Sequence, residues 1–310
     1  MSNSRRSVPA RDCPICGGTG EDLAFPYGTI FNGTEFFYFK CAGCGSTFVS
    51  PVPNQADFEK MYSVENYHDS HYREIRTDGH YSDSIQFLKE NCAGRRSVLD
   101  FGCGNGSFLT VARDNNFECA GIEFHPSAIQ NVRKKTGLPV TSLEETRASG
   151  RRFEIIHLGD VLEHLADPMN TIKILASLLS PEGVFYIEGP LENQSSAVYY
   201  SARSIKVLRR ALGHRTPGAT APTHLFRVNA RNQRQFFTER LGYRCLAFKL
   251  YETGWPYLSP THSRSVSTMC KTTIGWAAIA LSNVVRFGRS RVFGNRFRSV
   301  FQPPTSAARS

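Results

Sequence analysis

From residue 97 to 188, short apolar runs alternate with segments whose apolar residues recur at helical spacing. The runs at 97–101, 118–123, 138–141, 153–159 and 183–188 have the length and near-continuous apolar character of strands buried on both faces. Helices are predicted between them, near 107–115, 126–135 and 169–179, and His80 to Asn91 forms another ahead of the first strand. This alternation predicts an α/β fold, a doubly wound parallel sheet with helices on both faces. Further on, 195–212 and Arg231 to Leu241 are read as helices and Gly242 to Lys249 as a strand. Gly213 to Pro222, rich in Gly, Pro and Thr, is a loop. Beyond 255 the pattern weakens: Thr273 to Val285 is apolar, but no strand is placed after Lys249. Upstream, Phe36-Phe37-Tyr38-Phe39-Lys40 predicts a strand, and 51–75, rich in Pro, Tyr and His, a linker.

These patterns divide the 310 residues into a small module over 1–50, a linker or lid with its leading helix over 51–96, a core over 97–254 and a tail over 255–310. The core contains an insertion over 190–230. With 40% hydrophobic and 21% charged residues the chain reads as globular, and without an apolar run of about eighteen residues no membrane-spanning helix is expected. Met1 to Ala10 is polar, which does not read as a secretory signal, so a cytoplasmic protein is expected. Nine cysteines in such a chain read as metal ligands and free thiols rather than a disulfide framework.

Two of the cysteine pairs have ligand spacing. Cys13-Pro-Ile-Cys16 and Cys41-Ala-Gly-Cys44 are Cys-x-x-Cys knuckles, each followed by glycine, and four thiolates in that arrangement surround a zinc ion tetrahedrally. Four protein ligands leave no open position, so the predicted zinc is structural. The other five cysteines are isolated and read as core or surface residues.

The densest chemical signal is Val98-Leu99-Asp100-Phe101-Gly102-Cys103-Gly104-Asn105-Gly106, a strand that runs into three glycines at alternate positions before a helix. Such a turn lets the backbone approach a ligand closely at the carboxyl end of a strand. The third glycine arrives one residue too early for a dinucleotide fingerprint, and Asp100 would repel a pyrophosphate. The acid suits a ligand carrying an ammonium and a sulfonium. About twenty residues on, Ala120-Gly121-Ile122-Glu123 ends in a carboxylate able to accept both hydroxyls of a ribose. This pair of motifs resembles the class I S-adenosylmethionine-dependent methyltransferases.

A second segment extends the resemblance. Gly159-Asp160-Val161-Leu162-Glu163-His164-Leu165-Ala166-Asp167-Pro168 is similar to the stretch that many small-molecule methyltransferases place beside adenine and the transferring methyl group. The resemblance implies S-adenosylmethionine as cofactor, bound by Asp100, Gly102, Gly104, Gly106, Glu123, Gly159 and Asp160. It adds Ser142 and Leu143 flanking adenine and Tyr67 covering the cofactor. Related sugar methyltransferases carry a basic histidine before an aromatic residue, which here points to His224 in Pro222-Thr223-His224-Leu225-Phe226. Glu163 and His164 admit three readings: metal ligands together with Asp160, a substrate-facing His164, or a pair that orders the helix start. His68, His71, His125 and His157 read as ordinary polar residues. The Pro-Pro-Tyr motif of nitrogen methylation and the Pro-Cys nucleophile of cytosine methylation are absent from this segment.

The expected protein is thus a methyltransferase with an N-terminal zinc ribbon, of the type acting on sugars, polysaccharide precursors or secondary metabolites. Oxygen is the expected acceptor atom, with carbon as the lesser choice. The alternatives are an RNA methyltransferase, opposed by the missing nitrogen motif and a nearly balanced core, and a non-catalytic adaptor, opposed by the intact motifs. Charge adds one partner. The net +10 lies mostly after Glu252, the last acid, where eight Lys and Arg follow. That tail is read either as a helix docked on the core or as a contact with an anionic membrane surface.

Overall fold

The computed structural model describes residues 11–62, 78–211, 221–254, 258, 266–287 and 290–304. The N-terminal module comprises β1 (Gly20–Phe31), β2 (Thr34–Cys41), β3 (Thr47–Ser50) and α1 (Gln55–Met61). The first half of the core follows with α2 (Asp78–Asn91), β4 (Ser97–Phe101), α3 (Ser107–Asp114), β5 (Glu118–Ile122), α4 (Pro126–Thr136) and β6 (Val140–Thr141). The second half has α5 (Leu143–Ala148), β7 (Phe153–Gly159), α6 (Pro168–Ala176), β8 (Leu179–Pro190), α7 (Ala197–Ala211), β9 (Phe226–Arg227), α8 (Ala230–Gln235) and β10 (Arg244–Tyr251). The C-terminal part contains α9 (Val266–Val284), β11 (Arg286–Phe287), β12 (Ser290–Arg291) and β13 (Arg296–Gln302).

Seven strands form the main sheet in the order β6-β5-β4-β7-β8-β13-β10. β4 to β8 pair in parallel. Their apolar runs are continuous because alternate side chains serve opposite faces. Val98, Ile155, Val184 and Tyr186 enter the cluster built with Ile85, Leu88 and Phe108. Leu99, Ile156, Phe185 and Ile187 enter the cluster built with Ile172 and Leu175. The strand order reverses at β4, so the crevice between the carboxyl ends of β4 and β7 is where this topology seats a ligand.

The tail corrects the sequence reading. β13 lies antiparallel between β8 and β10, so residues assigned to a basic tail complete the core sheet. No strand is visible there in the sequence because Arg296 and Arg298 interrupt the apolar pattern. Both guanidiniums have carboxylate partners inside the fold, Asp160 for Arg296 and Glu188 for Arg298. The helix predicted over Arg231 to Leu241 also differs: α8 stops at Gln235 and a π-helical turn continues over Phe236–Arg240. Widening the turn there buries the consecutive rings of Phe236 and Phe237 together, with Phe237 stacked on Phe301 at 4.3 Å.

The N-terminal sheet has the order β1-β2-β3-β9. Asn32 and Gly33, both at positive φ, make the tight hairpin between β1 and β2. β9 comes from the insertion over 190–230, and its Phe226 and Arg227 pair with Phe48 and Thr47 of β3. Asn193 fastens the same junction by donating to Thr47 Oγ1 and the Arg227 carbonyl, each at 3.0 Å.

Candidate active site

The glycine turn after β4 separates two roles. Gly102, Gly104 and Gly106 all have left-handed φ, at 74°, 51° and 75°. A Cβ at Gly102 would lie 2.8 Å from Val161, and one at Gly106 would lie 2.7 Å from Val132, so packing demands both glycines. A Cβ at Gly104 would meet nothing within 4 Å, so Gly104 faces open space. Its N–H donates to Glu123 Oε2 at 2.9 Å, and Glu123 Oε1 accepts the Phe124 amide at 2.7 Å. Burial raises the Glu123 pKa more than these donors lower it. Phe124 stands 60% exposed beside this carboxylate, edge-on to Phe101.

Asp100 sits lower than the motif implies. It is 3% exposed, and its Oδ1 accepts from His157 Nδ1 at 2.8 Å. His157 Nε2 faces Glu188 at 3.5 Å, and the ring lies between Phe108 and Tyr186, with centroids 3.7 and 5.0 Å away. Glu188 Oε2 in turn accepts from Ser84, Tyr186 and Arg298. A buried chain of charge therefore runs from the glycine turn to β13. Burial alone would lower the His157 pKa, but Asp100 and Glu188 push it up to about 9. His157 carries no signal in the sequence, because its two acids lie on two other strands.

The second motif converges with the insertion. Asp160, at φ 53°, is held by Arg296 Nη2 at 2.6 Å. The 3₁₀ turn Leu162–His164 places Glu163, 7% exposed, next to His164. His164 Nδ1–H donates to the Thr223 carbonyl at 2.7 Å, and the Leu225 amide donates to the Glu163 carbonyl at 2.8 Å. His224 is thereby set edge-on against His164, ring centroids 4.8 Å apart. Its Nδ1–H donates to Glu192 Oε2 at 2.7 Å, with Arg227 Nε 3.3 Å from the same oxygen. Although burial opposes ionisation, Arg227 and His224 hold the Glu192 pKa down to about 2. Burial likewise opposes the charged form of His224, but Glu192 raises its pKa. Glu192 is absent from the sequence-predicted site. Its clue, an acid at the end of a core strand, depends on a histidine 32 residues later.

Ligand atoms of Glu163, His164 and His224 all lie within 4.8 Å of one another, and that triplet could hold a cation. The metal-ligand reading of Asp160, Glu163 and His164, one of the three, is not the set assembled, because Asp160 is paired with Arg296. Ser142 caps α5: its hydroxyl accepts the Glu145 amide at 3.1 Å. Leu143 packs, partly buried, against the core. A Cβ at Gly159 would lie 2.7 Å from the His157 ring, so this glycine makes room for the buried imidazole. Tyr67 lies outside the described residues.

The sulfurs of Cys13, Cys16, Cys41 and Cys44 form a second cluster within 4.8 Å. Cys13 and Cys44 are 3.8 Å apart, Cys16 and Cys41 3.4 Å. A tetrahedron with Zn–S bonds of about 2.3 Å has S···S edges of about 3.8 Å, so the cluster has the right size. The Gly18 and Cys44 amides donate to Cys16 and Cys41 sulfur, as ionised thiolates require.

Residues 71–248 match the family described as a methyltransferase domain. Among curated relatives, the ribosomal protein L11 methyltransferase of Laribacter hongkongensis is 31% identical over 126 residues, covering 38% of this chain and 41% of that protein. The ubiquinone biosynthesis O-methyltransferase of Proteus mirabilis is 26% identical over 113 residues, 33% of this chain and 46% of that protein. The chain thus spans less than half the length of these relatives. Among solved structures, magnesium protoporphyrin IX methyltransferase from Synechocystis PCC 6803 with bound SAH superposes with a TM-score of 0.50 at 11% identity, covering 81% of this chain and 100% of that one. The plantazolicin methyltransferase BpumL in complex with SAH gives a TM-score of 0.50 at 13% identity, covering 80% and 94%. At these identities the structures speak for the fold. With the family match spanning more than half of the sequence, the chain belongs to the methyltransferase domain family, on a class I methyltransferase fold with a four-cysteine N-terminal module.

Proposed function

We propose that this protein transfers the methyl group of S-adenosylmethionine to a hydroxyl oxygen of a small polar acceptor, a sugar or a glycan or secondary-metabolite precursor. His224 is the general base. The observation that carries the reading is the His224–Glu192 pair at 2.7 Å, standing against His164 just past the end of β7. The O-methyltransferases among the relatives support oxygen as the acceptor atom.

Gly104 and Glu123 fit the cofactor, because the one leaves open space and the other offers a carboxylate beside it. When bound, S-adenosylmethionine supplies an electrophilic methyl group on sulfur. The chain supplies orientation, worth effective molarities of roughly 10⁵ M or more in well-held pairs. It also supplies a proton acceptor: with Nδ1–H given to Glu192, His224 keeps the Nε2 lone pair for the acceptor hydroxyl. Glu192 then stabilises the imidazolium that forms. The four cysteines hold one structural zinc in this reading, and its task is to brace β3, which carries β9 directly after His224.

Calorimetry with S-adenosylmethionine tests the cofactor half, and absence of binding at millimolar cofactor overturns it. Transfer of labelled methyl to a panel of free and nucleotide-linked sugars and phenols tests the rest. His224→Gln lowers turnover by roughly 10²–10⁴-fold with cofactor affinity unchanged. The rising limb of the pH–rate profile follows deprotonation of His224, so Glu192→Gln moves it to lower pH. Near-normal turnover of His224→Gln removes the base from the mechanism.

A further inference from the structure

We infer that α7 and α9 together form a surface that seats in the headgroup region of an anionic lipid bilayer. The two helices pack against each other. One face of α9 is fixed to the fold. Ala278 is buried, Gly275 is so close to Leu258 that a Cβ would come within 2.6 Å, and Ser282 donates to the Phe293 carbonyl. The opposite face carries Met269, Thr273, Trp276, Ala280 and Val284, all exposed and all uncharged. Their spacing of four, three, four and four residues draws one continuous stripe along the helix. Trp276 is 62% exposed and Val284 80%. α7 adds Tyr200, Val207 and Leu208. With Leu281 of α9, the pair carries seven of the thirteen exposed large hydrophobic residues among those described.

Charge identifies the occupant. α7 contains four Lys and Arg and α9 contains Lys271, and neither helix has an acid. Nor does any acid follow Glu252, whereas Arg286, Arg289 and Arg291 come directly after α9. An apolar stripe with tryptophan, flanked by charge of one sign, matches the acyl boundary and the phosphates of an anionic leaflet. No helix among the described residues is long and apolar enough to cross a membrane, so the pair lies in the surface plane. The inference is independent of the acceptor.

The test is sedimentation of the full chain with phosphatidylglycerol-containing vesicles and with pure phosphatidylcholine vesicles, at low and raised salt. Binding is expected to the first only and to weaken with salt. Trp276→Glu combined with Val284→Glu, both facing solvent, lowers the partition coefficient by about tenfold or more while melting temperature and cofactor binding stay unchanged. Lys271→Glu with Arg203→Glu weakens binding and flattens the salt response. The inference falls if wild-type protein stays in the supernatant with anionic vesicles, or if the Trp276→Glu, Val284→Glu variant pellets like wild type. It also falls if light scattering shows a wild-type dimer that this variant dissolves without any vesicle binding, since a second copy then covers the face.

Discussion

Replacing His157 by glutamine tests the buried chain from Asp100 to Arg298. Burial would lower the imidazole pKa below its ordinary 6.5, but Asp100 and Glu188 raise it to about 9. At about 1.4 kcal/mol per pH unit, holding that proton is worth roughly 3 kcal/mol of folding free energy. The sign follows from the pKa being higher in the folded than in the unfolded chain. The stabilisation is whole below about pH 6.5, declines from there to about 9, and is absent above. His157→Gln removes it and leaves Asp100 without its cationic partner. Urea unfolding of both proteins at several pH values is the assay. The wild type is expected to exceed the variant by about 3 kcal/mol near pH 6, and the gap is expected to close as the pH passes 9. Thiols titrating in the same range are common to both proteins and cancel in the difference. A gap that stays constant with pH would refute the reasoning, because His157 would then be neutral in the folded protein.

Two further perturbations separate neighbouring roles. Gly104→Val should abolish cofactor binding in calorimetry at a stability cost of no more than about 2 kcal/mol. Gly106→Ala should cost about 1–3 kcal/mol through its clash with Val132, read as a lower melting temperature. If the two glycines lose cofactor affinity and stability alike, the distinction between an open cradle and a packing contact fails. Cys41→Ser with Cys44→Ser should reduce zinc from about one per chain to none in elemental analysis. It should also depress methyl transfer, since β3 anchors the strand behind His224; unchanged metal content would dismiss the site.

The five parallel strands were legible because strands covered on both faces need apolar side chains in succession, as in Val184 to Ile187. The cysteine knuckles were legible because their ligand spacing is local. β1 was not, since Gly20 to Phe31 has no regular alternation, although Asn32-Gly33 marks its hairpin. β13 was hidden by two arginines whose compensation, from Asp160 and Glu188, exists only in three dimensions. The same holds for the site. The motifs name Gly104, Glu123, His164 and His224 as candidates, yet Glu192 and His157 acquire meaning only through partners on other strands.

The antiparallel strand wedged between β8 and β10 has a consequence for biosynthesis. Forty-four residues separate Tyr251 from Arg296, so a ribosome adding roughly 5–20 residues per second finishes β10 about 2–9 s before β13 starts to emerge. Throughout that interval β8 and β10 each present an open edge, and Glu188 on β8 lacks its Arg298 partner. Such edges invite pairing with other chains. Release at Tyr251 would make the exposure permanent, giving an aggregation-prone chain rather than a trimmed enzyme. Arrival of β13 closes both edges and brings Arg298 to Glu188 in one step, so an intact β13 acts as the checkpoint between a vulnerable nascent chain and a finished protein.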